Sequence, residues 1–209
     1  MDKEKVETIG AFINTHKGKR KFVQSVELAI NFSGLDMSKQ QNRLNLEVRL
    51  PNGKGKAQSV IVFADDKNIA AKANEAGAKV IPSSEMTSIA TDKAKLNGLL
   101  NYEMLAQPSL MPQVAKAFGQ FLGPRNKMPK PLLGGDVGAA VGAVTKSIYL
   151  RSKGKYLPTV HCIVGNESME TGQITANIDE VLNAVASKVG KQYIKSVFLK
   201  LTMSPSIRI

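Results

Sequence analysis

The chain of 209 residues has one cysteine, two histidines, no tryptophan and only 5% aromatic residues. Each shortage removes a class of protein. A lone Cys162 cannot close an internal disulfide, and with two histidines it cannot complete a four-ligand zinc site. So few aromatics speak against base stacking as the main grip on single strands. No apolar run approaches the roughly 20 residues that cross a bilayer. The opening MDKEKVETIG mixes charges of both signs without the apolar stretch of a signal peptide. The expectation is a cytoplasmic protein with no membrane partner, no metal and no cofactor. Catalytic signatures are scarce too. There is no G-x-x-x-x-G-K-[ST], and no strand runs directly into G-x-G-x-x-G. GKGK at 53–56 stands before a strand rather than between strand and helix, and reads as a hinge.

Positive charge is abundant. A net charge of +12 points to a polyanionic partner, of which nucleic acid is the commonest. The excess is uneven: residues 1–60 and 147–209 together hold 19 basic and 10 acidic side chains, a share of +9, against +3 for 61–146.

The patterning divides at the same places. DKEKVETIGAFIN sets Val6, Ile9 and Ile13 at helical spacing. After the basic KGKRK, FVQSVELAINF alternates, with Val26, Leu28, Ile30 and Phe32 on one face. RLNLEVRLP does the same with Leu44, Leu46, Val48 and Leu50, so the two runs read as an antiparallel pair with one wet face. PNGKGK at 51–56 reads as a linker. Beyond it strands and helices alternate: SVIVFA, KNIAAKANEAG, KVIPSS, NYEMLAQ, then PSLMPQVAKAFGQFLG with Ser109 as its cap. That pattern predicts a parallel sheet covered on both faces. LGPRNKMPKPLLGGD is a long basic loop, and VGAAVGAVTK returns to helix. From Ser147 the alternating style resumes in SIYLR and TVHCIVG. NIDEVLNAVASKVG is a helix stopped by Gly190, and YIKSVFLKLTMSPSIRI reads as one long strand. The fold class is therefore α/β: a discontinuous antiparallel-sheet domain, 1–55 and 147–209, with a three-layer, Rossmann-like α/β domain, 56–146, inserted at a loop.

Single residues leave choices open. Asp65-Asp66 follows SVIVFA, where α/β enzymes place ligands, but such a pair is more often a helix-start cap. His161 and Cys162 are neighbours on an alternating strand and point to opposite faces, so they form no nucleophile–base pair. His161 is either an RNA contact on the wet face or a plain surface histidine.

Three strings taken together, KFVQSVEL (21–28), LGPRNKMPKP (122–131) and LTMSPSIRI (201–209), resemble the family of large-subunit ribosomal protein number one, the stalk protein of the large ribosomal subunit, in its archaeal form. The resemblance covers nearly the whole chain. It implies a non-enzymatic ribosomal protein that binds the stalk of large-subunit ribosomal RNA near the tRNA exit site. It also implies help in releasing exit-site tRNA, repression of translation from its own messenger RNA, and a monomer off the ribosome.

The family's RNA contacts carry over to Lys21, Phe22 and Ser25, to Ser196, to Thr202, Met203 and Ser204, and less firmly to His161. Bacterial members have Gly at the position of Ser204, so this chain's hydroxyl alters that contact. Lys17, Lys19 and Arg20 are expected to anchor phosphates, and Arg125, Lys127 and Lys130 of the inserted domain's basic loop to reach a second nucleic acid. Phe22 could instead be a core residue at a strand start. Met203 shares parity with Val197, Leu199 and Leu201, so it too could point inward. Two other readings compete: a small-molecule-binding α/β enzyme using the middle domain, and a nonspecific basic coat for nucleic acid.

Overall fold

The computed structural model describes residues 3–56, 58–133, 136–152 and 157–209, the side chain of Gln41 excepted. The chain divides into two compact units, Met1–Lys56 with Lys146–Ile209, and Ala57–Thr145. The first unit opens with α1 (Lys3–His16), β1 (Ser25–Phe32) and β2 (Asn45–Arg49). The second holds β3 (Val60–Phe63), α2 (Lys67–Glu75), β4 (Lys79–Ile81), α3 (Ser83–Thr91), α4 (Lys93–Leu99), β5 (Glu103–Ala106), α5 (Met111–Leu122), β6 (Lys130–Pro131) and α6 (Val137–Lys146). The chain then returns to the first unit with β7 (Ser147–Arg151), β8 (Thr159–Asn166), α7 (Thr171–Val189), β9 (Ile194–Leu201) and β10 (Ser206–Arg208).

In the first unit four antiparallel strands run in the order β10-β9-β1-β8. The alternation in β1 decides the faces: Val26, Leu28, Ile30 and Phe32 point inward and are buried. They meet Ile9, Phe12 and Ile13 of α1 and Ile174, Ile178, Val181 and Val185 of α7. Both helices therefore cover one face of the sheet, and the other stays open. The first two alternating runs are not partners. β1 lies between β8 and β9, and β2 pairs with β7 in a separate two-stranded ribbon. The connection from Ser33 to Leu44 is far longer than a hairpin turn, so nothing fixes a register between β1 and β2.

The closing run is not one strand either. β9 ends at Leu201 and the chain reverses. The Ser204 amide donates to the Leu201 carbonyl at 3.1 Å, and the Ser204 hydroxyl accepts from the Leu201 amide at 2.8 Å. Pro205 has no N–H to give a central strand, and β10 folds back with Ser206 opposite Lys200 and Arg208 opposite Phe198. Ile207 and Ile209 pack against the core, and the Ile209 amide donates to the Val197 carbonyl at 3.0 Å.

Helix α7 begins at Thr171, six residues ahead of the NIDEVLNAVASKVG stretch that predicts it. Glu170 and Gln173 form a reciprocal capping box at its start. PNGKGK, which reads as a linker, is fastened down within its own unit. Asn177, fully buried on α7, donates to the Gly53 carbonyl at 2.8 Å and accepts from the Asn52 amide at 3.1 Å. Asn166 donates to the Gly55 carbonyl at 2.8 Å.

The second unit is a parallel sheet, ordered β4-β3-β5-β6. Every residue of β3 is buried, as a strand covered on both faces requires. Ile61 and Phe63 face α3, α4 and α5, while Val60 and Val62 face α2 and α6. Ser109 does not cap α5. It lies in a 3-10 turn, Pro108–Leu110, and the helix starts at Met111 with no side-chain cap.

Candidate nucleic-acid interface

Two segments almost 180 residues apart meet at one end of the four-stranded sheet. The Thr202 amide donates to the Ser25 carbonyl at 3.1 Å, and the Ser25 amide donates to the Thr202 hydroxyl at 3.1 Å. The threonine side chain thus extends the β1–β9 ladder by one rung after the strand has ended. The Lys200 ammonium closes the turn from below, 3.3 Å from the Thr202 carbonyl.

Beneath this joint lies Gln24, 2% exposed. Its amide nitrogen donates to the His16 carbonyl at 3.2 Å and to the Glu167 carboxylate at 3.1 Å, and its oxygen accepts from the Met203 amide at 3.1 Å. Its own carbonyl accepts from the Glu167 amide at 3.0 Å. One buried side chain therefore ties together the end of α1, the β8–α7 turn and the 202–204 turn. A buried amide with every group partnered adds rigidity, and one left unpartnered is costly. Sequence reading missed Gln24 and Glu167. The signal was there for Gln24, which shares the inward parity of Val26, Leu28 and Ile30.

The joint holds large apolar side chains out in solvent. Phe22 is 50% exposed, Val23 59% and Met203 57%. Neither Phe22 nor Met203 is a core residue. The first precedes β1 on an open loop, and the turn after Leu201 breaks the parity that would have buried the second. Lys17, Lys19, Arg20 and Lys21 are exposed on the same loop. The Ser204 hydroxyl serves the turn itself: besides accepting from Leu201 it lies 2.7 Å from the Pro205 carbonyl. A groove of about 320 Å³ runs beside the turn, lined by His16, Lys19, Arg20, Gln24, Met203 and Ser204.

From Ser25 the open face continues along the sheet. Its rows follow from the register: Lys200 opposite Glu27 opposite Ile163, then Phe198 opposite Ala29 opposite His161, then Ser196 opposite Asn31 opposite Thr159. His161 is exposed, and Ile163 beside it is 42% exposed. Asn31 donates to the Ser196 hydroxyl at 3.1 Å and accepts from the Thr159 hydroxyl at 2.9 Å, a polar chain across three strands. Ser196 stands on β9 six residues before Thr202, which follows the strand's end, roughly 20 Å at about 3.3 Å per residue. The residues singled out by sequence thus fall into a turn group around 17–25 and 202–204, and a sheet group of His161 and Ser196 on the same face.

In the second unit the basic loop is partly engaged at home. Lys127 forms a 3.0 Å ion pair with Glu103. Arg125 lies 4.1 Å above the Phe121 ring and donates to the Phe121 carbonyl at 2.9 Å. Lys130 sits in β6, the short edge strand beside β5. The groups at the carboxyl ends of β3 and β5, where an α/β enzyme would hold a ligand, are bonded to backbone. Asp66 caps α2 by accepting from the Asn68 amide, Asp65 accepts from the Ser83 amide at the start of α3, and the Gln107 side chain accepts from the Asp65 and Asp66 amides. Among the described residues no three His, Cys, Asp or Glu side chains gather as a metal site, and no helix is long and apolar enough to cross a membrane.

The sequence has matches among known proteins. Residues 13–205 fit the model of the Ribosomal protein L1p/L10e family. The chain is 38% identical over 214 residues to the large ribosomal subunit protein uL1 of Methanocella arvoryzae, covering 99% of this chain and 98% of that protein. The Archaeoglobus fulgidus protein of the same name is 37% identical over 216 residues, covering 100% and 99%, and that of Pyrococcus horikoshii is 38% identical over 196 residues, covering 91% and 88%. Matches of this length span both units, so the chain belongs to the Ribosomal protein L1p/L10e family, a family of ribosomal proteins and not of enzymes.

Proposed function

We propose that the chain is a structural component of the large ribosomal subunit in the cytoplasm that binds the stalk of large-subunit ribosomal RNA near the tRNA exit site. Its RNA-facing surface is the open side of the first unit's sheet, entered at the 202–204 turn. The observation that carries this reading is the joint itself: exposed Phe22, Val23 and Met203, with exposed Lys17, Lys19, Arg20 and Lys21 on the loop that leads into β1, on a base fixed by Thr202 and Gln24. Structured RNA is recognised through shape, 2′-hydroxyls and phosphates. A rigid apolar patch with a cationic loop suits that task, because the cations set position while the patch excludes water. Ser25, His161 and Ser196 extend the contact along the sheet, and Ser204 shapes the turn rather than reading RNA with its hydroxyl.

Two finer roles belong to the same surface. Binding a stalk-like structure in the chain's own messenger would repress its translation, and the second unit would assist release of exit-site tRNA through the basic loop that carries Arg125, Lys127 and Lys130. The experiment is binding to ribosomal RNA fragments beside a scrambled control at near-physiological salt, because affinity without a stated salt carries little meaning. Tight binding to one fragment supports the reading, and equal binding to the scrambled RNA refutes it in favour of a nonspecific coat. Replacing residues 57–145 by a short glycine bridge should leave most of that affinity in place.

A further inference from the structure

The groove beside the turn contains one side chain that the reading above does not use. His16 closes α1 with its ring 4.6 Å from that of Phe12, and its Nδ1 lies 2.9 Å from the Phe12 carbonyl oxygen. A carbonyl oxygen only accepts, so Nδ1 carries the proton and Nε2 is the nitrogen left to change state. Lys19 and Arg20 supply the groove's positive charge from the loop after α1, the 202–204 turn brings no charge, and no lining residue is acidic. Behind the lining, the Glu167 carboxylate accepts from the Gln24 amide.

We propose that this groove seats one phosphate of the bound RNA and that His16 takes up a proton at Nε2 when it does, making RNA binding pH-linked. The inference rests on the RNA reading above and goes beyond it. A neutral Nε2 presents a lone pair, which repels an anionic oxygen. A protonated Nε2 donates a charge-assisted hydrogen bond to it. The phosphate brings an anion to a groove that has none, beside two permanent cations that draw it in. Gln24 and the Phe12 carbonyl fix the rear of the groove, so the imidazole has one direction in which to respond. The proton moves from solvent to Nε2 on binding and back on release.

The test is the affinity of the full chain for its preferred ribosomal RNA fragment at fixed ionic strength from pH 8 to pH 6. Proton uptake at one histidine predicts a rise of about tenfold over that span. His16→Gln, which keeps a polar group but cannot change charge, is expected to flatten the dependence. The only other histidine is His161, and His161→Gln should keep the same slope at whatever affinity it retains. In the unaltered protein, NMR of the imidazole nitrogens should show Nε2 of His16 protonated in the complex at a pH where it is neutral without RNA. That measurement stands even if His16→Gln folds poorly. Tight, fragment-specific binding that is flat with pH, or a slope that follows His161 instead, would overturn the proposal while leaving the RNA reading intact. Absence of specific binding at every pH would overturn both.

Discussion

Thr202 stands in for a strand residue against Ser25, its hydroxyl accepting the Ser25 amide at 3.1 Å while its own amide returns a 3.1 Å bond to the Ser25 carbonyl. The hydroxyl therefore supports the fold before it meets any ligand. Thr202→Val keeps the shape but leaves the Ser25 N–H without its partner, at a cost of about 1–2 kcal/mol. Thr202→Ser keeps the bond and should keep the stability. Urea titration of the three proteins separates these outcomes, and a valine variant as stable as the parent would mean that the extra rung contributes nothing. RNA affinity should fall with the valine and survive the serine.

Gln24→Leu should be more damaging. It strips partners from the Met203 amide, the His16 carbonyl and the Glu167 carboxylate together, a loss of roughly 3 kcal/mol in unfolding free energy. Gln24→Glu tests the charge. It sets two carboxyls in contact, which must share a proton, so the folded state binds a proton that the unfolded chain has released. Relative to the parent, the variant's stability is whole below about pH 4, where unfolded carboxyls are protonated, and is lost as pH rises through neutrality. Thermal melts at pH 4 and pH 7 that differ no more than the parent's would contradict the buried contact with Glu167.

Cys162 faces the core between β1 and the helices, 9% exposed. Burial pushes its thiol up to about 12 from an ordinary 9.0. The thiolate is the reactive form, so the folded protein should resist alkylation at pH 8 and label fully in urea. The folded-state value lies above the unfolded one, so the linked stability is complete below pH 9 and declines as pH climbs from 9 toward 12. Rapid labelling of the native protein at pH 8 would place the thiol at the surface instead.

Much of this was legible in the residues, and the misses have physical causes. The inward set Val26, Leu28, Ile30 and Phe32 followed from alternation, because one covered face imposes a period of two. The continuous burial of β3 followed from its unbroken apolar run. Strand partners did not follow. β1 takes β8 and β9 from the far end of the chain, and nothing local in FVQSVELAINF encodes that pairing. In the tail, alternation continued through Thr202 and Met203 although the backbone turned there, and Pro205 was the one residue that marked the reversal. Gln24 and Asn177 escaped notice because polar side chains at inward positions look like breaks in a pattern. Here they are the buried amides that hold the 202–204 turn and the 51–56 segment. The residues of the proposed interface came from motif strings, and their division into a turn group and a sheet group needed the register.

The central claim is that RNA is read on the patch that Phe22 and Met203 present. Its most direct test is the affinity for the preferred ribosomal RNA fragment, measured across a range of salt, for the parent, for Phe22→Ala combined with Met203→Ala, and for Lys19→Ala. Both apolar side chains are exposed, at 50% and 57%, so their removal should leave the fold intact. The account predicts that the double variant loses roughly tenfold or more in affinity for the fragment, with an unchanged salt slope. Lys19→Ala should lose little and show a slope shallower by about one counterion. A double variant that binds the fragment as the parent does, across the whole salt range, would contradict the account.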